Sequence, residues 1–212
     1  MRTAPIYIFN HLPRTGGGSL LAALSAVRPV VHDYLPADEP GFATWRANPL
    51  RLDDITPGTI VAGHYTARGA RLHERYPETA DAARFRLITF LRKPGAWCRS
   101  HLCYFGASVT HDAVNARGAE RGVFARALAA SDDPIASLDR YWFVGLAERA
   151  QADGDRLFAR LDHAPHVLPP ANRSPRVTLT PSEQDFVEAY ERRAVVDHAL
   201  YERAMGRERD FV

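Results

Sequence analysis

His11-Leu-Pro-Arg-Thr-Gly-Gly-Gly-Ser-Leu20 (HLPRTGGGSL) decides how this chain is read. The apolar run Ile6–Phe9 precedes it, bounded by Pro5 and Asn10, and reads as a short buried strand. Ser19–Val27 follows as a helix that Pro29 stops. A strand, a glycine turn and a helix together form an anion cradle. Amides at a helix start point outward, the helix dipole favours negative charge there, and glycine lets the backbone come close. Arg14 adds a cation, and Thr15 and Ser19 add hydroxyl donors. The spacing is not that of the nucleoside-triphosphate loop GxxxxGK[ST], because the cation precedes the glycines. Nor is it the dinucleotide pattern GxGxxG, because Leu21 stands at the last glycine position.

Working outward, strands and helices alternate. Strands are expected at Val30–His32, Thr59–Ala62, Arg84–Leu91 and Trp142–Leu146. Helices are expected near 68–76, from Lys93-Pro94 to Phe105, at 123–130, at 134–138 and at 150–161. The stretch 36–57 reads as loops and one short helix, and polar Ser108–Ala119 reads as a mobile loop. Thr180-Pro-Ser-Glu183 is a capping box that opens one or two amphipathic helices reaching Met205. The expected fold is a single α/β domain over 1–212, three layers deep, with a P-loop-like, mostly parallel sheet flanked by helices. Ligands in such a sheet sit beyond the carboxyl ends of the strands.

Composition narrows the possibilities. The 212 residues are 46% hydrophobic and 10% aromatic, as a globular core requires. Lys and Arg total 27 against 25 acids, a net charge of +2, too mild for general nucleic-acid binding. Lys93 is the only lysine, so arginine carries nearly all the positive charge. Cys98 and Cys103 match neither a disulfide framework nor a zinc spacing, and no carboxylate or Cys/His cluster suggests a metal. No apolar stretch is long enough to span a membrane, and a cytoplasmic setting is expected.

A second motif lies further along. Leu87–Leu91 is an apolar strand that ends in Arg92-Lys-Pro94, with Ser100 eight residues after Arg92. A guanidinium leaving a strand end forks onto phosphate, and a helix hydroxyl can join it. The two motifs together resemble the sulfotransferases that use 3′-phosphoadenosine 5′-phosphosulfate (PAPS), especially the carbohydrate type, including heparan sulfate 2-O- and 6-O-sulfotransferases and bacterial relatives. Pro13, Thr15, Gly16, Gly17, Gly18 and Ser19 match that family's phosphosulfate loop, with Arg14 in place of its lysine. Arg92, Pro94 and Ser100 match its 3′-phosphate motif, with Lys93 where an acid is usual and Trp97 where arginine is frequent. Weaker echoes are Trp142–Glu148, Asn172-Arg173-Ser174 near the nucleotide, and structural Leu200-Tyr201.

The resemblance implies sulfuryl transfer to a hydroxyl of a carbohydrate or small molecule. Arg14 would neutralise the leaving phosphate. Thr15, Gly16, Gly17, Gly18 and Ser19 would hold the phosphosulfate, and Arg92, Ser100, Asn172 and Arg173 the rest of the nucleotide. A positioned His or Glu near neutral pKa suits the base, and histidine is the choice here. His64, leaving a strand in Gly63-His64, matches the position where several carbohydrate sulfotransferases hold theirs, and His11 is the runner-up. His101 is expected on a helix surface and His111 on the acceptor-side loop; Asp33 and Glu39 are acidic alternatives. Arg68, Arg71 and Arg117 could meet an acidic acceptor. The rivals are a nucleotide-dependent kinase, which wants a lysine after the glycines, and a degenerate nucleotide-binding module.

Overall fold

In the computed structural model the residues described are 4–34, 39–66, 70–117, 122–170 and 178–207. Five strands form one sheet: β1 (Ile6–Asn10), β2 (Val30–His32), β3 (Ile60–Gly63), β4 (Phe85–Leu91) and β5 (Phe143–Leu146). Their order is β2-β3-β1-β4-β5, and every pair is parallel. The sheet is thus wholly parallel, where the sequence promised mostly parallel. In register, Asn10 lies beside Gly63 on one side and Thr89 on the other. The carboxyl ends of β1, β3 and β4 therefore meet along one edge.

The strands bury both faces, which is why they read as apolar runs rather than alternating ones. Ile6 and Ile8 pack into one cluster, with Leu87, Leu91 and Val144. Tyr7 and Phe9 point the other way and pack with Ile60, Ile88 and Phe90. On this second face lie α1 (Gly17–Ser25) and α8 (Ala150–Arg160), through Leu20, Leu24, Leu157 and Phe158. The first face is covered by elements that include α4 (Pro94–Phe105), α6 (Val123–Leu128), α9 (Pro181–Arg193) and α10 (Val195–Gly206). The remaining helices named here are α2 (Glu39–Ala47), α3 (Leu72–Arg75) and α7 (Pro134–Asp139). Helix, sheet and helix make the three expected layers.

One expectation fails. Residues 107–117 are not a loop but α5 (Ala107–Arg117). Gly106, at φ 83°, ends α4, and the chain restarts as helix at once. The Thr110 hydroxyl donates to Gly106 O at 2.8 Å, and Thr110 and Val114, one turn apart, are both fully buried. Two buried positions anchor a helix whose other residues are polar, alanine or exposed Val109, so its periodicity is faint in the sequence.

Local signals elsewhere hold. Pro94 opens α4 directly after Lys93. The Thr180 hydroxyl accepts from Glu183 N, and Thr180 N donates to Glu183 Oε2, closing the capping box before α9. Buried Asp197 of α10 accepts from the amides of Val123, Phe124 and Ala125 at 2.7, 2.9 and 3.1 Å. A side chain more than seventy residues distant thus caps the start of α6.

Candidate active site

The glycine loop folds back on itself at the end of β1. Thr15 is fully buried, and its hydroxyl donates to Leu12 O at 2.8 Å. That hydroxyl's single proton is engaged, so the side chain closes the turn rather than facing a ligand as expected. Gly16 caps α1 at φ 85°, a conformation that glycine adopts without strain, and no side chain caps the helix there. Gly17, Gly18 and Ser19 form its first turn, where amides lack intrahelical acceptors. Gly17 is dictated by packing: a Cβ there would sit 2.1 Å from the His11 ring.

The second motif closes onto this loop. Trp97, nearly fully buried in α4, donates from its indole to Pro13 O at 3.0 Å. Arg92 donates to Arg14 O at 3.1 Å, and Arg14 Nε donates to Ser100 Oγ at 3.2 Å. The Arg14 guanidinium lies over the Tyr104 ring, 4.2 Å from its centre. Three cross-links thus join two motifs nearly eighty residues apart. Ser100 is tied to Arg14, a contact the sequence does not announce. Lys93 is exposed; its amide donates to Glu148, whose other oxygen accepts from Tyr201.

Burial lowers the pKa of both Arg14 and Arg92, and Arg92 adds to the shift at Arg14. Two desolvated cations held together favour an anion between them. Together with the uncapped helix start, these are the donor types that a phosphosulfate and a 3′-phosphate require. The residues present therefore fit such a nucleotide.

His64 follows the end of β3. Its Nδ1 meets His11 O at 2.5 Å, and a carbonyl only accepts, so Nδ1 carries the proton and Nε2 keeps its lone pair. Burial lowers its pKa, partly opposed by that hydrogen bond. His11 bonds the Tyr34 hydroxyl at 2.8 Å and stacks on Phe9. Burial, with neighbouring His64, lowers its pKa to about 3. His11 is thus packed between the first turn of α1 and the His64 ring, whose centre lies 4.5 Å away.

Other candidates separate clearly. Asp33 is buried in an ion pair with Arg75 at 2.9 Å and also accepts from Tyr76 and Trp45, so it is structural. His101 is buried, not on the surface, with its Nδ1 2.9 Å from the Thr110 hydroxyl. His111 lies on α5, not on a loop, and its ring packs at a tilt against Phe186 with centres 4.0 Å apart. Arg71 pairs loosely with Glu74. Glu39 begins α2. Asn172, Arg173 and Arg68 lie outside the described residues, as do the side chains of Glu39 and Arg117. Among the described residues no group of three His, Cys, Asp or Glu is arranged to hold a metal ion, and no helix is long and apolar enough to cross a membrane.

An apolar cavity of about 70 Å³ adjoins the loop, which the sequence reading did not foresee. Leu12 and Pro13 form one wall, and Trp97, Phe124 and Ala127 another.

No protein-family model and no curated protein matches this chain. Among solved structures it resembles a sulfotransferase from Alicyclobacillus acidocaldarius, with TM-score 0.50 and 14% identity over 93% of this chain and 94% of that one. The two share a fold: the chain has the parallel α/β architecture of a sulfotransferase. Mouse sulfotransferase SULT7A1 complexed with PAP aligns at 14% identity over 96% of this chain and 90% of its own, but its TM-score of 0.35 is too low to carry weight.

Proposed function

We propose that this chain is a PAPS-dependent sulfotransferase that acts on a hydroxyl-bearing acceptor. The observation that carries the reading is the Arg92–Arg14–Ser100 linkage, which binds the glycine loop to the second phosphate motif at adjacent strand ends. The amides at the start of α1 hold the phosphosulfate, and Arg14 balances charge that grows on the leaving phosphate. Arg92 takes the 3′-phosphate, with Ser100 fixed beside it through Arg14. His64 is the base, with Nε2 as the proton acceptor, and His11 holds it in that tautomer through its carbonyl. The acceptor oxygen bonds to sulfur as the bond from sulfur to the bridging oxygen breaks. The proton passes to His64, and adenosine 3′,5′-bisphosphate leaves.

The test is transfer of labelled sulfate from the donor to a panel of alcohols and sugars, with wild type and His64→Ala compared. A positioned general base contributes about 10²–10⁴-fold, and a loss of that size is expected. Because burial lowers the His64 pKa below 6.5, the acid limb of the rate profile should fall below pH 6.5. Undiminished turnover in His64→Ala would remove the assigned base, and absence of transfer to every acceptor would remove the activity.

A further inference from the structure

We infer that a second binding site, for an aromatic acid, lies beside the outer edge of β5, at the opposite end of the sheet from the glycine loop. Its ligand is a flat apolar ring that carries a carboxylate or a phosphate. The inference is independent of the sulfotransferase reading. β5 is the last strand of the sheet, and a cleft of about 290 Å³ opens beside it. Trp142, Phe143 and Val144 give the cleft an apolar wall, and Arg156, Arg160 and Arg207 line it with them. The glycine loop, His64 and Arg92 all follow the carboxyl ends of their strands. Trp142 instead precedes β5, about 13 Å of strand before its carboxyl end at Leu146.

Charge fixes the kind of ligand. Arg156 and Arg160 stand one turn apart on one face of α8, a spacing at which like charges repel. The Arg160 guanidinium lies 5.5 Å from the centre of the Trp142 ring and 5.8 Å from that of Phe143, and Arg156 lies 5.8 Å from Phe143. Burial lowers the pKa of Arg160, and neighbouring Arg156 lowers it further. Backbone bonds fix where two of the charges stand: Arg160 donates to Trp142 O at 2.8 Å, and Arg207 to Leu138 O and Tyr141 O at 2.8 and 2.5 Å. Of the acids on α8, Asp155 accepts from Gln151, and Asp153 is buried between Arg149 and Arg156. No described residue that lines the cleft is acidic. Cations gathered beside aromatic rings suit a ligand whose anionic group sits among the guanidiniums and whose ring lies against Trp142. Size agrees: about 290 Å³, against ~150 Å³ for an engineered cavity that takes benzene, holds one ring with its acid group.

The experiment is fluorine NMR of 4-fluorobenzoate and 4-fluorophenyl phosphate with the intact chain, read as line broadening and titrated for affinity. Neutral 4-fluorobenzamide is the control. The variant Arg160→Gln removes a charge but keeps a side-chain amide for Trp142 O, and Ala159→Phe narrows the cleft from an exposed lining position, where folding is not at risk. At least one acid is expected to bind wild type ten times more tightly than the amide, and each folded variant to weaken it at least tenfold. The tighter of the two acids identifies the anionic group. Adenosine 3′,5′-bisphosphate, assigned to the other end of the sheet, should not displace the probe. No broadening from either acid, equal binding of the amide, unchanged affinity in either folded variant, or displacement by the bisphosphate would overturn the inference. A chain that binds the acid here but gives no melting shift with the bisphosphate keeps this site and loses the proposed function.

Discussion

At the scale of single residues, Arg14 makes contacts that suit an arginine rather than a lysine. Its Nε holds Ser100 Oγ while its plane rests on Tyr104. A lysine ammonium has no planar fork to do both. Arg14→Lys should therefore weaken adenosine 3′,5′-bisphosphate binding about tenfold, roughly 1.4 kcal/mol by calorimetric titration. Equal or tighter binding would mean that the arginine is a tolerated exchange and not an adapted one. His11 makes a second point. Its pKa falls from 6.5 to about 3 on folding, so the unfolded chain binds a proton that the folded chain refuses. Its contribution is complete above pH 6.5 and is lost as pH falls toward 3. One such proton changes stability by about 1.4 kcal/mol per pH unit within that window. His11→Asn should flatten the fall in urea midpoint between pH 7 and pH 5.5, and an unchanged slope would contradict the assignment. Residue types at this site were readable in the sequence, but their partners were not. Nothing in the local pattern says that Trp97 reaches Pro13 or that Thr15 turns inward, because those bonds depend on how β1 and β4 lie side by side.

At the scale of elements, the strand–turn–helix over 6–25 was legible because apolar residues, glycines and the Pro29 stop all agree. The capping box before α9 was legible for the same reason: it is a local bond pattern. Helix α5 was not, because only Thr110 and Val114 mark its buried side and tertiary packing supplies the rest. The glycine turn itself mixes two demands. Gly16 needs its φ, whereas Gly17 needs its missing side chain. Gly17→Ala should push the His11 ring aside and destabilise the protein by about 1–3 kcal/mol in urea unfolding, as overpacking of a filled site does. A stability change under about 0.5 kcal/mol would show that His11 moves freely and does not hold His64 in place.

For the whole molecule, the parallel order β2-β3-β1-β4-β5 brings the ends of β3, β1 and β4 together, and with them His64, the glycine loop and Arg92. Segments far apart in sequence then lie at one edge: the loop near residue 14, the proposed base near 64 and the helix start near 94. The class of fold was legible in the alternation of strands and helices. The neighbour relations were not, and the cavity beside the loop least of all, since its walls come from four distant segments. The central claim is that this edge is built for a bisphosphorylated adenosine nucleotide. The most direct measurement is thermal unfolding with adenosine 3′,5′-bisphosphate, compared with ATP plus magnesium and with 5′-AMP. At about 100 times its dissociation constant, a bound ligand adds roughly 2.7 kcal/mol of stability. The account predicts that shift with the bisphosphate alone; a shift only with ATP and magnesium, or none with any of the three, would contradict it.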